Sequence, residues 1–275
     1  MKDVMLSFGK GLDKYLTKDQ IKEQAPLVFA DAPTNPDVSD KYLFVNTETI
    51  IDDLDKLGWY PVNAAQRKST KKKGTIFSKH MVSFQNPDIM INSADGDDAY
   101  PRILLTNSHD GMQAFKFSVG IFRLVCSNGL VVADESFSEF KIKHKGYTFA
   151  ELRNVVRQAV EDLPNRVQVM NDMKNRILTE DEKRKMALDA MLIRAGVKEL
   201  QYDEETITDI LEPKRDADKG DNLWKVFNVI QEKITQGDFH AALTGAKVRK
   251  VRKIKSFEKD MKVNKELFKL ATALV

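Results

Sequence analysis

What this sequence lacks excludes several kinds of protein. The one cysteine, Cys126, cannot form an intrachain disulfide, and such low cysteine content fits a reducing compartment. No apolar stretch approaches the roughly 20 residues that cross a bilayer, and the N-terminal residues lack the apolar core of a signal peptide. We therefore expect a cytoplasmic protein without a membrane partner.

The motifs of common enzyme classes are missing as well. No phosphate loop, dinucleotide-binding fingerprint, zinc-ligand spacing or nucleophile elbow occurs in the chain. Gly9 and Gly11 begin a glycine-rich pattern, but the sequence predicts no strand before it, as such a pattern requires. We therefore expect no cofactor and no metal ion, and the missing motifs favour a protein that is not an enzyme.

The charges of the chain are unevenly distributed, although the formal net charge is only +3. Residues 66–80 and 244–255 contain cations and no acid, whereas the acids concentrate in other regions, such as residues 95–98. The cations of these two segments are Arg67, Lys68, Lys71, Lys72, Lys73 and Lys79, then Lys247, Arg249, Lys250, Arg252, Lys253 and Lys255. This separation indicates a directed positive surface. Two solvated basic loops are the alternative.

Helical signals open the first half. Thr17 and Gln20 have the spacing of a capping box, which predicts a helix that ends before Pro26. A second helix is predicted to end at Gly58 and to bury one apolar face, formed by Ile50, Ile51, Leu54 and Leu57.

From Trp59 onward the apolar period changes to two, which is typical of strands. Tyr60, Val62 and Ala64 alternate, and a return strand at 77–84 completes a hairpin with a basic tip. Residues 86–99 form a polar excursion with no predicted strand. Further strands are predicted at 102–106, 115–119, 130–132 and 137–142.

Residues 121–126 are ambiguous. They can continue a strand into a turn at Asn128 and Gly129, or they can form a short helix that ends there. We favour the helix, because Gly120 interrupts the strand pattern.

The second half has helical periodicity throughout. Capping boxes at Thr148 and Thr179 begin two helices, and Pro164 divides the first of them. Further helices are predicted at 203–211, from Asn222 to Gly237, and at 256–275. These patterns predict an α+β protein, with a mainly antiparallel sheet and a helix in residues 1–146 and an all-helical half in residues 147–275.

A polar cluster follows the strand at 102–106 and consists of Asn107, Ser108, His109, Asp110 and Gly111. A structural turn is favoured, because Asn, Ser and Asp side chains cap backbone groups and glycine accepts a positive φ. Contact with nucleic acid and hydrolytic or metal chemistry at His109 and Asp110 are the alternatives. The other histidines, His80, His144 and His240, are scattered and lack metal-ligand spacing with this cluster.

Two further candidate functional residues follow this cluster in the sequence. Arg123 has apolar neighbours and needs a partner, such as Asp110 or a phosphate. Cys126 lies in an apolar run, which favours an inert thiol of the core over a nucleophile paired with His109.

Residues 244–255 carry the clearest chemical signal. Val248, Val251 and Ile254 recur at every third position, so one edge can pack on the protein while the cations point outward. Lys and Arg neutralise phosphates and release counterions, the main source of sequence-independent affinity for nucleic acid. We predict that nucleic acid contacts Arg67, Lys68, Lys71, Lys72, Lys73, Lys247, Arg249, Lys250, Arg252, Lys253 and Lys255.

These two segments form a shared groove only if they meet in space. Aromatic residues near the first segment, Trp59, Tyr60, Phe77 and Phe84, either stack on bases or belong to the core, and we favour the core. Trp224 and Phe227 are expected to fix a helix to its neighbours.

The chain resembles a family of phage-, prophage- and plasmid-encoded proteins, catalogued as domain of unknown function 932 or phage/plasmid-like protein. The resemblance runs from about Thr17 to the C-terminus. It is carried by LTNSHDG, GIFRLVCSNGLVV, LEPKRDADKGDNLWKVFNVIQEKITQG and DMKVNKELF. Such relatives lie near anti-restriction, DNA-repair and single-strand-binding genes, which implies a role in DNA metabolism or in protection of incoming DNA. The resemblance implies the host cytoplasm as the location of a phage-encoded protein. It supplies no agreed catalytic residues, so none are assigned from it.

The order of elements is also similar to that of single-strand annealing proteins, an analogy of layout alone. Our first hypothesis is a non-enzymatic protein that binds or anneals single-stranded DNA, with a homo-oligomer expected by the same analogy. One alternative is an anti-defence protein that binds and inhibits a host immunity complex. The other is a nuclease built around His109 and Asp110.

Overall fold

A computed structural model describes most of the chain, in ranges separated by gaps. The described residues are 4–7, 15–35, 38, 44–66, 79–93, 96, 98–110, 115–123, 140–142, 148–200, 202, 204–237, 239–241 and 248–275. For residues 4–7, 122–123, 140–142 and 257–258 only the backbone is described. The predicted basic tip at 67–73, the strand at 130–132 and Cys126 lie outside these ranges.

An antiparallel sheet of seven strands occupies the first half. Its strands are β1 (Val4–Ser7), β2 (Tyr60–Gln66), β3 (Lys79–Gln85), β4 (Met90–Ser93), β5 (Ala99–Ser108), β6 (Phe115–Arg123) and β7 (Phe140–Ile142). The order is β1-β4-β5-β3-β2, and β6 pairs with β5 and with β7. Residues 102–106 of β5 pair with β3 on one edge and with β6 on the other, which makes β5 the central strand. The predicted hairpin of β2 and β3 is confirmed.

Three details of the sheet correct the sequence-based predictions. The polar stretch 86–99 contains a strand, β4, which pairs with β1 and contacts β5. Residues 121–123 continue β6, and Gly120 lies opposite Arg102 within the ladder, so no helix begins at Ile121. The alternation in β2 fails because the register shifts between Pro61 and Asn63, where proline has no N–H to donate.

Two helices lie against the sheet, and the first of them begins at its predicted cap. In α1 (Lys18–Gln24), Thr17 and Gln20 form the predicted capping box. In α2 (Thr47–Asp55), the Asn46 side chain accepts hydrogen bonds from the first turn, and Ile50, Ile51 and Leu54 are buried. Gly58 has a φ of +78°, in agreement with its predicted role in ending the helix.

The described part of the second half is helical, as predicted, except for one short two-stranded ribbon that the prediction of an all-helical half did not include. Its helices are α3 (Phe149–Glu161), α4 (Leu163–Asn175), α5 (Glu180–Ala195), α6 (Glu204–Leu211), α7 (Leu223–Gln236) and α8 (Phe257–Thr272). Pro164 lies in the first turn of α4, where its missing N–H leaves no helical bond unmade. A ribbon of β8 (His240–Ala241) and β9 (Arg249–Lys250) is added to these helices. No helix in the described ranges is long and apolar enough to cross a membrane.

Apolar contacts join the two halves. Leu152 and Val156 of α3 belong to the same core as the sheet, α1 and α2. A second core lies among α4 to α8 and includes Ile91 and Ile121 of the sheet. The division of the chain at residues 146 and 147 stays a prediction.

A buried pair of amides fixes α8 against α7. The Gln231 Nε2 atom donates to the Asn264 Oδ1 atom at 2.7 Å, and both side chains are buried. Asn264 also donates to the carbonyl of Asp260 at 2.9 Å. A buried amide that loses its partner keeps the full cost of its desolvation.

We therefore expect Asn264→Ala to lower the free energy of unfolding by about 2–4 kcal/mol, because it leaves Gln231 unpaired and opens a cavity. Urea unfolding measures this loss. Lys262→Ala, an exposed position on the same helix, is the control and should change the free energy by less than about 0.5 kcal/mol. Equal effects of the two substitutions would contradict a structural role for the amide pair.

Candidate nucleic-acid interface

Residues 248–255, here called the cationic segment, lie along the end of α7. Their backbone is held at several points: the Val251 N–H donates to the Phe239 carbonyl at 2.7 Å, and the Ile254 N–H donates to the Thr235 carbonyl at 2.8 Å. The side chains of Val251 and Ile254 are buried in the helical core. The segment is thus a fixed part of the fold.

Gly237 makes this close packing possible. A Cβ atom at this position would lie 2.4 Å from the Val251 carbonyl oxygen and 2.7 Å from the Arg252 carbonyl carbon. The residue also has φ +78° and ψ −142°, a conformation that is essentially restricted to glycine. The sequence indicates Gly237 as a helix end, but not as the contact surface for another segment.

A buried arginine of α5 also holds the backbone of the cationic segment. Arg194 of α5 is 8% exposed, and its Nη2 atom donates to the Arg252 carbonyl at 2.7 Å. Burial lowers the pKa of Arg194, with the charge of Asp260 opposing this shift. The guanidinium thus holds the backbone of the cationic segment while the Arg252 side chain points to solvent.

The side chains of the cationic segment divide as predicted, with one exception. Val251 and Ile254 are buried, whereas Val248 is 56% exposed. Val248 precedes the point at which the segment reaches α7, so its place in the three-residue period does not bury it. The cations that lie exposed are Arg249, Lys250, Arg252, Lys253 and Lys255.

Asp260 is the acid that faces this segment from the first turn of α8. Burial raises the pKa of Asp260 to about 6, and the charges of Lys253 and Arg194 oppose this rise. At neutral pH the carboxylate therefore offsets part of the positive charge beneath the segment.

The other predicted contacts with nucleic acid, Arg67, Lys68, Lys71, Lys72, Lys73 and Lys247, lie outside the described residues. A groove shared by the two basic segments therefore stays a prediction. Trp59 and Phe84 are buried in the core of the sheet, in agreement with the favoured prediction, and Trp224 and Phe227 are buried in the helical core.

The polar cluster at 107–110 is an internal network rather than an exposed turn. Asn107 and Ser108 end β5, and His109 and Asp110 are turn residues, whereas Gly111 lies outside the described residues. The Asn107 Nδ2 atom donates to the Thr47 Oγ1 atom at 3.0 Å and to the Val45 carbonyl at 3.4 Å. The Ser108 hydroxyl donates to the Asp110 carboxylate. The network therefore joins the N-terminus of α2 to the end of the sheet.

His80 belongs to this network, although the sequence indicates that the histidines are scattered. Its Nε2 atom lies 2.8 Å from the Thr47 Oγ1 atom, and the Nε2 atom of His109 lies 3.4 Å from the same oxygen. The two imidazole rings lie 4.7 Å apart. Because Asn107 already donates to this hydroxyl, one imidazole must accept its proton, which requires a neutral ring. Pairing of β3 with β5 brings His80 opposite Asn107, a register that the sequence does not indicate.

Burial limits what this network can do chemically. His109 is 1% exposed and Asp110 is 6% exposed, so neither is offered to a substrate from solvent. Within the described residues, no three His, Cys, Asp or Glu side chains are grouped to hold a metal ion. The side chain of Arg123, the remaining member of the predicted functional turn, lies outside the described part of the chain.

Comparison with known proteins places this architecture in a family. The family model described as Domain of unknown function (DUF932) matches residues 37–268. The chain belongs to the DUF932 family. This result confirms the resemblance carried by the polar cluster and the C-terminal motifs.

Two proteins of Escherichia coli (strain K12) resemble this DUF932 protein over almost its whole length. They are UPF0380 protein YafZ and UPF0380 protein YfjQ, each 28% identical over 268 residues, which cover 96% of this chain and 93% of the relative. Their names state no activity. No solved structure matches the chain.

Gly237→Ala should destabilise this DUF932 protein by about 2–4 kcal/mol, since the new Cβ atom collides with backbone and the residue must leave a conformation reserved for glycine. Gly196→Ala is the matched control, because Gly196 has a φ of +74° but no atom within 4 Å of the added Cβ. It should cost about 1 kcal/mol. Thermal or urea unfolding compares the two, and a smaller loss at Gly237 than at Gly196 would contradict the close packing.

Asp260 should make stability depend on pH below neutrality. The pKa of Asp260 is about 6 in the folded protein, against about 3.9 in an unfolded chain, so the folded state binds the proton more tightly. The free energy of unfolding should therefore fall as the pH rises from about 4 to 6, by up to about 3 kcal/mol.

Asp260→Asn removes the titration and should flatten this part of the pH profile. Asp55→Asn, at an exposed carboxylate on α2, should leave the profile unchanged in shape. Urea unfolding across this pH range measures both, and an unaltered slope in Asp260→Asn would show that Asp260 is not the titrating group.

Proposed function

We propose that this DUF932 protein binds single-stranded nucleic acid, with DNA favoured, and that the cationic segment supplies the contacts with phosphate. The observation that carries the proposal is the group of five exposed cations on a backbone that the core holds in place. Such a segment can bind phosphates without first being ordered, which lowers the entropic cost of binding.

The distribution of neighbouring charge supports the proposal. Salt bridges pair many cations of the helical half with acids, as between Lys183 and Asp221 at 2.8 Å or Arg215 and Glu232 at 2.6 Å. Residues 248–255 contain no acid, and the carboxylate beneath them, Asp260, is partly buried. Positive charge is therefore concentrated at one exposed edge.

The preference for a single strand comes from what the family resemblance implies and from the analogy of layout with single-strand annealing proteins. Annealing, recombination and protection of incoming DNA are roles in which such binding would serve. Catalysis by His109 and Asp110 is not part of the proposal, because both side chains are buried.

The test is a salt-dependent binding titration with a single-stranded oligonucleotide. Five phosphate contacts give an expected slope of about −3.5 in a plot of log K against log salt concentration. Changing Arg249, Lys253 and Lys255 to alanine should weaken binding at least about tenfold at low salt and reduce the steepness of this slope by about 2.

The control removes three exposed cations far from the segment in the sequence, by changing Lys22, Arg153 and Lys185 to alanine. It lowers the net charge equally and should retain most of the affinity. The proposal fails if the unaltered protein does not bind the oligonucleotide at low salt. It fails equally if the two triple variants lose the same affinity.

A further inference from the structure

We propose that the cleft between α6 and the β8–β9 ribbon receives unpaired bases of the bound strand and prefers bases with an exocyclic amino group. The inference rests on the proposed function, since the phosphates of that strand occupy the cationic segment. It adds a second site, with a chemistry different from that of the segment.

The cleft has the dimensions of a ligand site. Its volume is about 620 Å³, within the range of roughly 300–1,000 Å³ that is common for small-molecule pockets. One wall is α6 with the residue that follows it, and contributes Glu205, Thr208, Asp209 and Glu212. The other wall is the ribbon with the residue before β9, and contributes His240 and Val248.

The ribbon connects this cleft directly to the cationic segment. His240 lies opposite Lys250 in the ribbon, so their side chains point to the same face. Val248 lies two residues before Lys250 and shares that face, because side chains alternate along an extended chain. A strand whose phosphates contact the segment therefore has the cleft beside it.

The α6 wall supplies hydrogen-bond acceptors. Residues 205 and 209 lie on one face of α6, and residue 212, directly after the helix, continues this acidic row. Asp209 is engaged by Lys233 at 3.0 Å, whereas Glu205 and Glu212 are exposed at the cleft. Carboxylates accept hydrogen bonds from the amino groups of cytosine, adenine and guanine. Thymine and uracil present a carbonyl oxygen in place of this donor, which carboxylates repel.

The ribbon wall supplies a surface for the faces of the bases. His240 is an exposed imidazole, and Val248 is an apolar side chain that is 56% exposed. Bases of every type can stack on an aromatic ring, so the imidazole can contact a strand of any sequence. This role explains why Val248 is exposed, which packing in the core does not.

The same wall disfavours a duplex. The Watson–Crick edges of paired bases are occupied by their partners, and a second phosphate backbone brought near Glu205 and Glu212 is repelled by like charge. Uncharged base edges meet no such repulsion. The cleft thus selects unpaired bases.

The test compares oligodeoxycytidine with oligodeoxythymidine of equal length at pH 7.5. Both are weakly stacked pyrimidines, and the pair differs in the amino group of cytosine. We expect the unaltered protein to bind oligodeoxycytidine about five- to tenfold more tightly. In the double variant Glu205→Ala, Glu212→Ala this ratio should fall below about twofold, mainly because oligodeoxythymidine binds better once the repulsion is gone.

The control variant Glu23→Ala, Asp55→Ala removes the same charge from exposed positions on α1 and α2 and should keep the preference. Equal, salt-dependent binding of both oligonucleotides by the unaltered protein would overturn the base-binding cleft and leave the proposed function standing. A preference that survives in the Glu205, Glu212 variant would overturn the cleft as its source. Failure to bind either oligonucleotide would overturn the proposed function and this inference together.

Discussion

The close approach of two backbone segments at Gly237 is the contact on which the candidate interface depends. Without a side chain there, the carbonyl of Val251 lies against the end of α7, and Val251 and Ile254 complete the helical core. The exposed cations of the segment are consequently presented by a backbone that the core holds in place, with Asp260 as the acid that faces them. A flexible loop with the same charges would lose conformational entropy on binding, whereas this segment has lost that entropy during folding.

The polar network at the end of the sheet also depends on contacts between distant parts of the chain. Turn-forming residues usually satisfy their own backbone, yet here the Asn107 side chain reaches Thr47 and Val45 across the fold. Thr47 is the first residue of α2, so the network ties the start of a helix to the central strand. Removing one member of a buried network leaves its partners desolvated and unpaired. The cluster therefore has a sufficient structural reason to exist without a catalytic role.

Local signals in the sequence were reliable where one interaction dominates. The caps at Thr17, Thr179 and Asn222 were predicted because each depends on a side chain and a backbone group within three residues. The antiparallel sheet and the helical second half follow from periodicity in the same way. Features that depend on pairing between distant segments were not predicted. These are the strand β4, the extension of β6 through Gly120, and the contact of His80 with His109.

The predicted three-residue period in the cationic segment shows the boundary between the two cases. It correctly assigns Val251 and Ile254 to the core, because both residues pack along α7. It fails at Val248, which lies just before β9. Periodicity reports which residues share a face and not whether a partner covers that face. The acidic face of α6 has the same character, since its spacing is evident in the sequence and its position opposite the ribbon is not.

The small net charge of the chain conceals an arrangement in which cations and carboxylates line adjacent surfaces. Glu205 and Glu212 line the cleft, whereas the exposed cations lie on the segment beside it. Interactions between exposed charges weaken with distance because salt screens them. Carboxylates of the cleft therefore act most strongly on groups inside it, so opposite charges can bind the backbone and select the bases.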